Sequence, residues 1–225
     1  MPTILITGAN RGIGLALARS YVRDGWRVFA TSRKPDKSPI EGIETLALDL
    51  TCPASIKVLK LKLADIPIDI LWNNAGVYLD KNQALEQVDN HDWLRSFEVN
   101  CIAPIRIAEA LVENVILSER KVIAFTTSKM SSLAGNGVGA YAYRSSKTAL
   151  NMAVRCFEQD HKAQGISCLL LHPGHVRTDM GGPEGAIDID TSVTGMRKLV
   201  DQINPTSRTE MSRGIFDYDG SNIPW

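Results

Sequence analysis

Tyr143 and Lys147 stand four residues apart in the segment Tyr141-Ala142-Tyr143-Arg144-Ser145-Ser146-Lys147. On a helix that spacing puts both side chains on one face, one turn apart. A free phenol titrates near ~10, and a neighbouring ammonium favours the phenolate and lowers that value. A pair of this kind suits proton donation to a forming alkoxide near neutral pH, or proton abstraction in reverse. Alone, a Tyr-x-x-x-Lys spacing reads better as an ordinary helical surface pair, so the rest of the chain decides.

The second chemical signal lies near the start. Thr7-Gly8-Ala9-Asn10-Arg11-Gly12-Ile13-Gly14 follows an apolar run and opens a helical pattern. In such a loop one glycine permits a tight turn, another lets backbone approach a pyrophosphate, and another lets helix pack on strand. The helix N-terminus adds unpaired N–H groups and partial positive charge. Gly8, Asn10, Arg11, Gly12, Ile13 and Gly14 are therefore candidate dinucleotide contacts; the competing reading is a tight turn without a ligand. Sites for NAD usually carry an acid at the end of the second strand. Here that strand ends Phe29-Ala30-Thr31-Ser32-Arg33-Lys34, without a carboxylate. Arg33, with Arg11 close by, complements a 2′-phosphate through charge-assisted hydrogen bonds. NADP(H) is expected over NAD(H), unless Arg33 and Lys34 are merely solvated loop charges.

The elements that must position these groups follow one rhythm, a short apolar run and then a longer helical pattern. Strands are expected at 3–7, 27–32, 43–48, 68–72, 122–127 and 166–171, with a short last one at 214–216. Helices are expected at 12–23, 53–64, 91–117, 141–164 and 191–203, with Pro104 bending the third and Gly165 capping the fourth. Strands this apolar between helices predict a single α/β domain over 1–225, a doubly wound Rossmann-type parallel sheet with helices on both faces. Stretches 33–42, with Pro35 and Pro39, and 181–185 read as surface loops. Ligands of such sheets sit beyond the carboxyl ends of the strands, where the unusual residues fall.

Composition excludes several other classes. Lys plus Arg number 25 and Asp plus Glu 25, so no global field recruits nucleic acid or anionic lipid. Cys52, Cys101, Cys156 and Cys168, and the four histidines, lack metal-ligand spacing. Reduced thiols, no metal and a cytoplasmic location are expected. Neither a signal peptide nor a run of about 18 apolar residues stands out.

Together with Asn73-Asn74-Ala75-Gly76 and Tyr143-x-x-x-Lys147, the glycine loop resembles the short-chain dehydrogenase/reductase superfamily. Its compact branch carries these three motifs in this order. The finer pattern around Tyr143 and the ending Phe216-Asp217-Tyr218-Asp219-Gly220 are similar to C-factor-like proteins and sniffer-type carbonyl reductases. The resemblance implies that Lys147 also binds the nicotinamide ribose. It implies a serine after the fifth strand that holds the substrate carbonyl, assigned to Ser128 at the strand end, with Ser131 and Ser132 as rivals. It gives Asn100 a place in a proton relay, although an asparagine bonding locally to a bent helix fits the sequence nearly as well. Asp49, with Leu50, is implied beside the adenine. Asn74, Ala75 and Gly76 run under the adenosine ribose. Pro173, Gly174, Val176 and Thr178 are implied at the nicotinamide carboxamide.

The expected activity is hydride transfer between NADP(H) and a small ketone, aldehyde or quinone, or the matching alcohol, with Tyr143 as general acid. Candidate pocket walls are Val77, Tyr78, Met130, His175 and Met180; the stretch after Thr178, which the resemblance makes part of a substrate lid, is short here, Asp179 to about Asp188, and rich in glycine, which suggests an open, adaptable pocket. The alternatives are an NADP-sensing regulatory protein and an NAD-linked alcohol dehydrogenase. Relatives pair through the helices around 91–117 and 141–164, which implies a homodimer or homotetramer.

Overall fold

The computed structural model describes residues 1–35, 40–203 and 214–225. Residues 36–39 of the loop expected at 33–42 lie outside this set.

The central strands are mostly apolar and buried on both faces: β1 (Thr3–Ile6), β4 (Ile70–Asn73), β5 (Val122–Thr126) and β6 (Ser167–His172). Such strands require cover on each side. β2 (Arg27–Ser32) and β3 (Ile43–Ala47) complete one wing, and β3 exposes most of its side chains as an edge strand does. β7 (Ile215–Asp217) and β8 (Asn222–Ile223) complete the other. The sheet order is β3-β2-β1-β4-β5-β6-β7-β8, parallel except for the antiparallel pair β7/β8. β8 has no counterpart among the expected strands, since two residues after a turn carry no periodicity.

Alternate strand residues feed two cores. Leu5, Leu71, Ile123 and Phe125 pack with Leu59, Ile107, Leu150 and Val154 on one face. Ile4, Ile6, Ile70 and Trp72 pack with Leu17, Tyr21, Met196 and Val200 on the other. The first face is covered by α2 (Pro53–Lys62), α4 (Ala103–Ala110) and α6 (Tyr141–Asp160), the second by α1 (Gly12–Arg23) and α7 (Ile189–Asp201). Chain order reverses between β1 and β4, which opens a crevice at their carboxyl ends.

The helix expected over 91–117 is divided. α3 (Asn90–Phe97) runs into a π turn, Glu98–Ile102, then α4, then α5 (Val112–Ile116). Pro104 has no N–H for the carbonyl of Asn100, four residues earlier, and the distortion is absorbed in the preceding turn. α6 also ends earlier than its periodicity predicts. A short 3₁₀ turn, Lys162–Gln164, follows before Gly165 in the left-handed region, φ 75°. Among the described residues no helix is long and apolar enough to cross a membrane, and no three His, Cys, Asp or Glu groups converge on a metal site.

Candidate active site

α6 carries Tyr143 and Lys147 side by side toward the carboxyl end of β5, and both are buried, 8% and 3% exposed. The Lys147 Nζ donates to the Thr126 carbonyl at 2.7 Å, at the last residue of β5. Two residues on, the Ser128 side chain lies near enough to the Tyr143 phenol to favour its ionised form, and it accepts from the Met130 N–H at 3.1 Å. The Tyr78 ring stacks on the Tyr143 ring, with centroids 4.4 Å apart and planes 22° apart.

The two rival serines are committed elsewhere. Ser131 donates to the Ser128 carbonyl and accepts from Asn151 Nδ2 at 2.8 Å. Ser132 donates to the Trp225 carbonyl at 3.4 Å. Of the three, Ser128 is the one whose side chain influences the phenol.

The π turn buries Asn100 completely. Its Oδ1 accepts from the Val77 N–H at 2.8 Å, and its Nδ2 donates to the Val77 carbonyl at 2.9 Å and to Ser146 Oγ at 3.0 Å. A Cβ at Gly76 would lie 3.1 Å from Asn100 Oδ1 and 3.5 Å from Lys147 Nζ. Gly76, Asn100 and Lys147 therefore form one contiguous group.

One expectation is reversed. The Tyr143 phenol is pushed up to about 12, because burial outweighs the opposing effect of Ser128, and the Tyr78 phenol adds to the rise. Burial likewise lowers the Lys147 ammonium to about 8, against a small opposing effect of Cys101. Burial is the leading cause of both shifts, and neither group figures among the causes of the other's. The phenol is held protonated rather than poised to ionise.

The phosphate loop fits its expected ligand. The side chain of Arg11, the residue before α1, makes no capping bond, and the first intrahelical donor is Leu15. The N–H groups of Gly12, Ile13 and Gly14 thus face the crevice end of the helix. A Cβ at Gly14 would meet the Gly8 carbonyl at 2.4 Å, so this close approach requires glycine. Asn74 Nδ2 donates to the carbonyls of Thr7 and Gly8, and Thr7 Oγ1 accepts from the N–H groups of Asn74 and Ala75. The Asn74 side chain therefore clamps the loop to the end of β4, leaving the backbone of Ala75 and Gly76 along the crevice.

Beyond the loop, a crevice is lined by Ala9, Asn10, Thr31, Ser32 and Ile43. Thr31 Oγ1 and both amide atoms of Asn73 are buried without a hydrogen-bond partner among the described residues. Orphaned polar atoms at strand ends are what a polar ligand would satisfy. Arg33 is exposed beside this crevice. The carboxylate of Asp49 accepts from Thr51 N–H and Oγ1, which together hold its pKa down, with smaller help from Arg95 and Arg33. Leu50 packs partly against the core. Arg11 is engaged with Asp179 across the crevice mouth.

The lid is tighter than its glycines imply. Arg177 N–H donates to the Ile187 carbonyl at 3.0 Å, and Ile187 N–H to the His175 carbonyl at 3.2 Å. The Thr178 hydroxyl accepts from the Gly181 N–H at 3.1 Å. At Gly185 a Cβ would sit 2.4 Å from the Arg177 nitrogen. Glycine serves close backbone packing there, not adaptability. Val176 is buried, Gly174 has φ 83°, and the Pro173 carbonyl accepts from Ser192 Oγ at 2.6 Å. His175 Nε2 lies 3.0 Å from the Gly181 carbonyl, and Met180 is exposed.

Thr7, Thr126 and Asp80 escaped sequence reasoning. The threonines act through backbone and hydroxyl contacts to residues far along the chain. Asp80 reads as an ordinary loop acid, yet it is fully buried.

A doubly wound sheet with a glycine loop at its switch point and a buried Tyr-Lys pair alongside defines a nucleotide-dependent oxidoreductase. The chain belongs to the short chain dehydrogenase family, whose sequence model matches residues 2–186. It is 44% identical over 160 residues to C-signal of Myxococcus xanthus, covering 71% of this chain and 93% of that protein. The structure of carbonyl reductase Sniffer of D. melanogaster is similar, with a TM-score of 0.90 at 29% identity and 100% of each chain covered. A carbonyl reductase from Pseudomonas aeruginosa PAO1, solved in complex with NADP, gives 0.85 at 34% identity, again over 100% of both chains.

Proposed function

We propose that this protein reduces a small hydrophobic ketone, aldehyde or quinone with NADPH, with Tyr143 as general acid. The observation that carries the reading is the burial of Tyr143 and Lys147 side by side on α6, with Ser128 close to the phenol. When bound, a reduced nicotinamide supplies hydride to the carbonyl carbon. Tyr143 gives its proton to the oxygen as negative charge develops there, and Ser128 holds that oxygen. An alkoxide is far more basic than a phenol, so the transfer runs downhill even from a phenol at about 12. A phenol that stays protonated through the neutral range is in the form that reduction requires.

Lys147 has three donors and spends one on Thr126, which leaves two for ribose hydroxyls. Its contiguity with Asn100 supports reprotonation of Tyr143 by that route. The diphosphate would lie on Gly8, Asn10, Arg11, Gly12, Ile13 and Gly14, and the adenosine along Asp49, Leu50, Asn74, Ala75 and Gly76. Pro173, Gly174, Val176 and Thr178 would hold the carboxamide. NADP(H) over NAD(H) rests on Arg33 and on the lack of an acid at the end of β2. Tyr78, Met130 and Met180 give the pocket an apolar wall. Pairing of two chains is supported by Leu94, Ile102 and Met152, which are 72%, 53% and 65% exposed on α3, the π turn and α6.

The test is to mix the purified protein with NADPH and a panel of ketones, aldehydes and quinones and follow cofactor absorbance. Carbonyl-dependent oxidation is expected. Tight NADPH binding without oxidation of any panel member would overturn the reading.

A further inference from the structure

The helix that carries Tyr143 begins without a cap of its own. Ala140 precedes it in the left-handed region, φ 53°, with no side-chain capping bond, and Gly139 before that has φ 67°. The first N–H groups of a helix need acceptors from outside it. They find one sixty residues away in sequence. Asp80 is completely buried, its Oδ2 accepting from the Ala142 N–H at 2.8 Å and its Oδ1 from the Tyr143 N–H at 3.2 Å. A carboxylate at a helix N-terminus is favoured by the helix dipole and makes charge-assisted bonds.

The segment around Asp80 touches three other parts of the site. Val77 is bonded through both its N–H and its carbonyl to Asn100, at 2.8 and 2.9 Å. Tyr78 stacks on the ring whose backbone Asp80 holds. Lys81 Nζ donates to the Met180 and Gly181 carbonyls of the lid, at 3.2 and 3.4 Å, and lies 3.8 Å from Glu184. Five successive residues thus tie together the π turn, the phenol and the lid.

We propose that Asp80 is a positioning residue for Tyr143, a remote cap that fixes the first turn of α6 so that the stacked phenol meets the substrate oxygen at hydrogen-bonding distance. The kinetic consequence rests on the carbonyl-reductase reading above. Both Asp80 oxygens accept from backbone N–H groups, so it acts through the Tyr143 backbone. A displacement of about 1 Å at a reacting group costs on the order of 100-fold in rate, and a free first turn permits displacements of that size.

Asp80→Asn keeps the shape but turns an amide N–H₂ toward one of two N–H donors. Its kcat is expected to fall about 10- to 100-fold, with the NADPH dissociation constant and the KM for the carbonyl substrate within about threefold of wild type. A merely structural role would lower NADPH binding and kcat together, and that outcome, or a kcat within twofold of wild type, overturns the proposal. Amide exchange in the wild-type protein decides the contact without any variant or turnover. Ala142 and Tyr143 N–H groups protected like the middle of α6 support it; exchange as fast as an uncapped first turn overturns it. A wild type that reduces no carbonyl compound would defeat the functional reading alone, because the exchange result stands apart from it.

Discussion

Replacing Lys147 with methionine should inactivate the protein, and the stability of the variant relative to wild type should fall with rising pH. Burial lowers the Lys147 ammonium from its ordinary 10.5 to about 8. A shift of one unit corresponds to about 1.4 kcal/mol, so a charged Lys147 costs the fold about 3 kcal/mol. Because the folded pKa is depressed, the unfolded chain binds this proton more tightly. Below about pH 8 both states are protonated and the penalty is complete. Between about 8 and 10.5 only the unfolded chain keeps the proton, and wild-type stability rises by about 1.4 kcal/mol per pH unit. Lys147→Met has no such group. Its lost bond to the Thr126 carbonyl, worth about 1.5–3 kcal/mol for a charged donor, offsets the absolute gain but not the pH dependence. Urea unfolding of both proteins at pH 7 and pH 9.5 isolates the effect, since titrations that Lys147 does not influence cancel, and the neighbouring Cys101 thiol is itself pushed up by burial. The difference, variant minus wild type, is predicted to shrink by about 2 kcal/mol between these values. A difference that does not change with pH would refute the claim that Lys147 is held as a desolvated cation.

Three further outcomes follow from the same geometry. Ser128→Ala should lower kcat about 100-fold or more, the usual loss for one donor to a developing oxyanion, whereas Ser131→Ala should leave it within about threefold; the reverse order in steady-state assays would move the carbonyl contact to Ser131. Arg33→Asp should weaken NADPH about 10- to 100-fold, the worth of a charge-assisted hydrogen bond, and leave NADH nearly unchanged; equal loss of both in fluorescence titration would make Arg33 a bystander. Light scattering should give a mass at least twice that of the chain, reduced to one chain by Met152→Arg; a monomeric wild type would dispose of pairing through α6.

Much of this architecture was legible in advance because doubly buried strands leave an unambiguous signature. Residues 3–7, 122–127 and 166–171 are mostly apolar without alternation, and repeated between helical patterns they suit a parallel sheet covered on both faces. The glycine loop and the Tyr143/Lys147 spacing were legible because each is local. What escaped was long-range. The π turn has no signature apart from Pro104, which signals a distortion but not where it is absorbed. Asp80 is separated from its partners by some sixty residues, and nothing in Tyr78-Leu79-Asp80-Lys81 announces a buried cap. The lid glycines were read as freedom when Gly185 marks close contact, since composition does not distinguish the two uses. The phenol was expected to ionise more easily because the ammonium was visible in the sequence and the extent of burial was not.

The most direct test is a single-turnover comparison of wild type with Tyr143→Phe, each saturated with NADPH and mixed with a carbonyl compound that the wild type reduces. The account predicts unchanged NADPH affinity and a hydride-transfer rate lowered about 100- to 10,000-fold, the range ascribed to general acid catalysis. A variant that oxidises NADPH at the wild-type rate would contradict it, and the phenol would be a packing residue.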